Sequence, residues 1–220
     1  MKKWQTFAAA GCLALSAAPA MALDQGDMLV RFGPTWVMPN DDSGAVSANG
    51  VPQAGTSGLV GVDDGVALGI SFTYMMTPNL GVEVLAATPF SHDVKGKGRL
   101  QGEGTIATIK HLPPTVSLQY HFSDFGQWRP YVGAGINYTT FFDEKGKGNF
   151  AGADVSLKDS WGWALQAGVD FDVNERWFVG ASAYYIAIDT TATIRAGADT
   201  GKVDVDIDPW VLMVGGGLRF

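Results

Sequence analysis

The last eleven residues constrain the fold most. Trp210, Leu212, Val214, Gly216, Leu218 and Phe220 put an apolar residue or a glycine at every second position, and Phe220 is the final residue. Side chains two apart in a strand share a face. A face this greasy at the end of a chain predicts a β-strand whose outer side meets acyl chains.

The opposite end predicts export. Lys2 and Lys3 precede an apolar stretch over residues 7–18, and Ala20-Met21-Ala22 has the small-x-small pattern of a cleavage site. Residues 1–22 therefore read as a secretory signal peptide, leaving 23–220 as one domain. The apolar run is too short to cross a bilayer as a helix. A lipoprotein reading through Cys12 leaves too little hydrophobic segment before the thiol. Cys12 is the only cysteine, so the processed chain has no disulfide, zinc-thiolate site or Cys nucleophile. Losing Lys2 and Lys3 takes the formal charge from −7 to −9, which argues against nucleic acid as a partner.

The closing alternation recurs along the chain in eight segments. In the second, Val66, Leu68, Ile70, Phe72 and Tyr74 oppose Ala67, Gly69, Ser71 and Thr73. In the sixth, Trp161, Trp163, Leu165, Ala167, Val169 and Phe171 oppose Ser160, Gly162, Ala164, Gln166, Gly168 and Asp170. Short turns near residues 77–79, 123–129 and 172–175 alternate with long connections near 38–64, 91–107, 143–158 and 190–202. Short periplasmic turns and long external loops are the expected asymmetry of outer-membrane barrels. Aromatics fall near segment ends (Trp36, Tyr74, Phe122, Trp161, Trp177, Trp210), as interface girdles do. The predicted fold is all-β, an eight-stranded antiparallel transmembrane β-barrel with a narrow, partly apolar lumen, in the outer membrane of a Gram-negative bacterium.

Several stretches resemble one family. They include Phe72-Thr73-Tyr74-Met75, residues 81–90, His111-Leu112-Pro113-Pro114-Thr115, residues 129–142, Lys158-Asp159-Ser160-Trp161-Gly162 and Asp208-Pro209-Trp210-Val211. Together they resemble the outer-membrane protein W (OmpW) family of small porin-like barrels. The long loops match least. The resemblance implies passage of small hydrophobic molecules across the outer membrane. The final Leu218-Arg219-Phe220 resembles the closing signal of outer-membrane barrels, which implies the barrel assembly machinery as a partner.

The inward residues sort by height. A mixed-charge set of Arg31, Glu83, Gln119, His121, Gln166, Asp170 and Arg219 falls near the periplasmic end, beside Gly133, Gly135 and Gly168. An eight-stranded barrel is just wide enough for side chains to fill. These residues predict a plug, with Arg31 and Arg219 facing Glu83 and Asp170. Nearer the outside the inward set turns apolar: Leu85, Ala87, Pro89, Tyr184, Ile186 and Ile188. The expected lumen is an apolar funnel closed below, so a solute needs a side exit. Pro89, Pro113 and Pro114 lie on neighbouring strands, and proline has no N–H for the ladder. They read as a lateral seam or, on the plainer reading, as residues that merely end regular pairing above the membrane. The competing expectation is a closed structural or surface-recognition barrel that acts through its loops.

Sharper motifs are weak. Gly133-Ala134-Gly135 has Tyr138 where a dinucleotide fingerprint needs its third glycine. Asp204, Asp206 and Asp208 start like a calcium loop, but Pro209 stands where that loop needs glycine. They read instead as a polar face of the closing strand above the lipid. The three histidines look scattered, which predicts neither a metal site nor an enzyme, and no cofactor is expected. Lys95, Lys97, Arg99, Lys145 and Lys147 are loop cations that read equally as solvated turns or as contacts for lipopolysaccharide phosphates.

Overall fold

The computed structural model describes residues 22–220; the expected signal peptide lies, except for Ala22, outside the described residues. Eight strands form the barrel: β1 Met28–Met38, β2 Gly65–Met75, β3 Leu80–Ala87, β4 Thr115–His121, β5 Trp128–Gly146, β6 Ser160–Asp172, β7 Trp177–Ile186 and β8 Trp210–Arg219. Each pairs antiparallel with its neighbours in sequence. The ring closes between the ends of the chain, with Val30 opposite Leu218 and Trp36 opposite Leu212. Closure pairs the first strand with the last and so removes the two free edges of an open sheet, which a membrane does not tolerate.

The alternation has the predicted meaning on every strand. Val66, Leu68, Ile70, Phe72 and Tyr74 are exposed, whereas Ser71 and Thr73 between them are buried. On β7, Val179 is exposed and Ser182, Tyr184 and Ile186 are buried, so the even positions face inward. Aromatic girdles mark both ends of the apolar band. Tyr138–Trp161 and Tyr185–Trp210 pack at ring separations of 4.8 and 5.4 Å on one side. Tyr120–Phe122 and Trp128–Phe171 do so at 5.1 and 4.9 Å on the other. The lower turns are tight. In one, the N–H of Met76 donates to Leu80. In another, Asn174 Oδ1 accepts from the N–H groups of Arg176 and Trp177.

The upper connections differ from the expected loops. Residues 91–107 belong to a hairpin of Phe90–Gly96 and Thr105–Leu112, and 190–202 to a hairpin of Asp189–Ala196 and Asp199–Asp206. The first pairs with the outer end of β5, where His111 lies opposite Phe141. The second pairs with Asp154–Leu157 on one side and Asp42–Ser43 and Ser47–Ala48 on the other. These strands stand above the girdle in water. Their outer faces are therefore polar, and the lipid-strand pattern does not reveal them. Asp204 and Asp206 sit on such an outer face, while Val203, Val205 and Ile207 are buried inside.

Candidate functional site

The lower lumen is filled by a charged cluster. Arg31 of β1 makes two bonds to Asp170 of β6, Nε to Oδ1 at 3.2 Å and Nη2 to Oδ2 at 2.8 Å. Its Nη1 donates to Thr73 Oγ1 at 2.8 Å and lies 3.6 Å from Glu83 Oε2. The guanidinium stacks over Tyr131, 4.7 Å from the ring centre. Gln119 accepts from Thr73 and donates to Gln166 at 3.1 Å, and His121 Nε2 lies 3.0 Å from Gln119 Oε1. Tyr184 donates to Glu83 at 3.2 Å from above. Buried charges are tolerated only when paired and hydrogen-bonded in this way. Glycine makes the room: a Cβ on Gly168 would lie 2.4 Å from the Tyr131 ring, and one on Gly180 would lie 2.4 Å from Asp170 Oδ1.

Arg219 is not in this cluster. Its Nη2 binds Asp27 Oδ2 at 2.8 Å at the periplasmic rim. The interior at that height is already occupied by Leu23, Leu29, Met75 and Phe178. The second cation of the floor is Arg129, bonded through Nη1 to Asp172 at 2.7 and 2.9 Å and through Nη2 to Asp170 at 3.4 Å. Sequence reasoning missed it by assigning Arg129 to a turn. The available signal was parity, since Arg129 falls two residues before inward Tyr131, and Asp172 two after inward Asp170.

Above the floor the lumen is apolar. Leu85, Tyr184, Ile186 and Ile188 are buried with Phe90, Ile109, Phe141, Val203 and Ile207 in one continuous core, and Ala87 packs half-buried against it. The hairpins carry this lining upward into a chamber with a cavity volume of about 50 Å³, walled by Val62, Val94, Ile109, Val155, Ile194 and Val203 among others. Thr190 is the one polar side chain among its lining residues.

The wall beside this chamber is interrupted. Between β3 and β4 the register pairs stop at Leu85 opposite Thr115 and resume at Phe90 opposite His111. Ala86 to Pro89 and Leu112 to Pro114 lie in that break. Pro89 and Pro114 are exposed, and Pro113 is buried. Between β2 and β3 the pairs stop at Gly69 opposite Ala87, with two further bonds, from the Thr88 N–H to the Leu68 carbonyl and from the Leu68 N–H to Thr88 Oγ1. Residues 90–96 next pair with Val60–Val62, not with the top of β2. On the other side of Pro114 the wall is sealed, because Asn137 Nδ2 donates to the Pro114 carbonyl and to Thr115 Oγ1.

Two of the three histidines are not scattered. His92 and His111 stack at 4.8 Å with 9° between ring planes, above the girdle and inside the interrupted wall. Burial holds the His111 ring down to about 3, and the charge His92 would carry adds to this. Burial also lowers His92. His121 bonds Gln119 and not Glu83, so no acid-base pair forms in the floor. No group of three or more His, Cys, Asp or Glu among the described residues could hold a metal ion.

The OmpW family matches residues 24–220. Outer membrane protein W of Vibrio cholerae is 48% identical over 212 residues, 94% of each chain. The crystal structure of the outer membrane protein OprG from Pseudomonas aeruginosa superposes with a TM-score of 0.84 at 42% identity, covering 90% of this chain and 98% of that one. A more distant relative, 30% identical over 185 residues and 82% of each chain, is the dibenzothiophene metabolism operon protein PahQ of Pseudomonas aeruginosa. With its closed eight-stranded ring and lipid-facing girdles, this chain is an outer-membrane β-barrel and belongs to the OmpW family.

Proposed function

We propose that the barrel takes up small hydrophobic molecules passively from outside and releases them sideways into the outer membrane. The observation that carries the reading is one of height. An apolar chamber stands over a charged floor, and the breaks around Pro89 and Pro113-Pro114 lie between them. Leu85, Ala87, Tyr184 and Ile186 act as the apolar lumen, and Pro89, Pro113 and Pro114 as the seam. The floor of Arg31, Glu83, Gln119, His121 and Asp170 blocks the straight route to the periplasm. An uncharged apolar solute gains nothing from such a floor, and displacing its ion pairs is costly. The whole transfer from water to the acyl chains gains about 0.8 kcal/mol per CH₂, so roughly 6 kcal/mol for an eight-carbon chain. The name of PahQ, from an operon that metabolises the apolar dibenzothiophene, is consistent with such cargo.

The test is uptake of an apolar fluorescent probe by vesicles carrying the barrel. Leu85→Asp places a charge in the lumen and is expected to stop uptake. Unchanged uptake would refute the reading and leave a closed surface-recognition barrel.

A further inference from the structure

Three ring nitrogens are buried in an otherwise apolar wall without a partner. His92 is 1% exposed and His111 4%. His92 Nδ1 lies 2.6 Å from the carbonyl oxygen of Asp63. A carbonyl only accepts, so Nδ1 carries the hydrogen and Nε2 presents a lone pair. That Nε2 has no hydrogen-bond partner, nor has either nitrogen of His111. Burial keeps both rings neutral at pH 7. His111 therefore offers one N–H and one lone pair.

Their position is specific. A Cβ on Gly65 would lie 2.5 Å from His92 Cε1, so the His92 ring presses on the top of β2, where pairing with β3 has ended. His92 lies opposite Ile109, which lines the chamber with Val94. Phe90 and Phe141 flank His111 at 5.5 and 5.9 Å. The pair thus stands beside Ile109 of the chamber wall, just inside the break in the strand ladder. Unpaired buried polar groups are rare because they lose their water without compensation.

We propose that His92 and His111 form a head-group subsite for straight-chain molecules ending in one hydroxyl group; this deepens the uptake reading and rests on it. The hydroxyl donates to His92 Nε2 and accepts from the His111 N–H. The chain extends into the chamber along Ile109 and Val94. A plain alkane leaves every one of these nitrogens unpaired, and a site built to hydrogen-bond discriminates against the analogue that lacks the group.

The experiment uses the full barrel in lipid nanodiscs with ¹⁵N-labelled histidine, titrated with octan-1-ol or with n-octane. Octan-1-ol is expected to move the ring nitrogen resonances of His92 and His111, and n-octane to leave them in place. His111→Phe is expected to abolish the His92 response. His111→Gln, which keeps a donor and an acceptor, is expected to retain it. Heat-dependent gel mobility confirms that both variants are folded. In vesicles, the uptake ratio of octan-1-ol to n-octane is expected to fall about tenfold in His111→Phe, equivalent to about 1.4 kcal/mol. Histidines silent to octan-1-ol, or equally sensitive to both compounds, overturn the subsite even if both compounds pass. Octan-1-ol-specific shifts without uptake leave the subsite standing and refute the transport reading instead.

Discussion

Replacing Asp170 tests whether the floor is an interdependent unit. Asp170 is fully buried and takes both Nε and Nη2 of Arg31, which is itself 4% exposed. Breaking a buried pair by removing one partner costs about 3–5 kcal/mol, because the other charge is left without compensation. Arg129 also reaches Asp170, but its two bonds to Asp172 remain. The cost of Asp170→Leu is therefore charged almost entirely to Arg31. Arg31→Met is expected to cost a similar amount, and the double variant much less than the two singles together, with a coupling of about 3 kcal/mol. The assay is reversible urea unfolding in phospholipid vesicles. Seven tryptophans occur in the sequence, and the lipid-facing Trp161 and Trp163 report loss of the bilayer environment. As a control, the Lys95–Asp63 pair is about half exposed, and Lys95→Ala is expected to leave the unfolding midpoint nearly unchanged. If Arg31→Met and Asp170→Leu add to within about 0.5 kcal/mol, the two groups are independent and the reasoning about the floor is refuted.

Other expectations follow from the same geometry. Arg219→Ala disturbs only the partly exposed rim pair with Asp27, so it is expected to cost about 1 kcal/mol in the same unfolding assay, well short of Arg31→Met. Gly168→Ala drives a methyl group into the Tyr131 ring and is expected to cost about 1–3 kcal/mol by overpacking. His111 is held at about 3 when folded and returns to the usual histidine range on unfolding, so the unfolded chain binds the proton first as pH falls. Stability is then expected to drop from pH 6.5 toward pH 3, by about 2 kcal/mol at pH 5 from this residue alone, and His111→Phe should flatten that slope in urea titrations. Replacing Pro113 and Pro114 with valine gives the ladder two more N–H donors and is expected to slow probe transfer from lumen to bilayer; an equal rate would remove the seam.

The eight membrane strands were legible because lipid imposes a strict alternation on their outer faces. Tyr184 and Ile186 could be turned inward on β7 from Gly180 and Ser182 alone. The upper hairpins were not legible as strands. Asp93, Lys95 and Lys110 face water there, so the outer face offers no greasy stripe. Arg31, Glu83, Gln119 and Asp170 meet as expected because each lies on an inward parity at similar height. Arg219 shares the charge but not the height, and height depends on strand stagger, which alternation does not encode. The stacking of His92 on His111 depends on a register between Phe90–Gly96 and Thr105–Leu112, and that pairing could not be read until both were known to be strands.

β5 is a single strand of 19 residues. At about 3.3 Å per residue and a tilt near 40°, it rises roughly 48 Å along the barrel axis, about twice the ~25 Å apolar band of such barrels. The excess stands on the cell's outer side, where the hairpin Phe90–Gly96/Thr105–Leu112 leans on it. The barrel is therefore also a chimney. For the uptake route proposed above, that height places a dry mouth clear of the polar layer and keeps the descent to the acyl chains behind a protein wall.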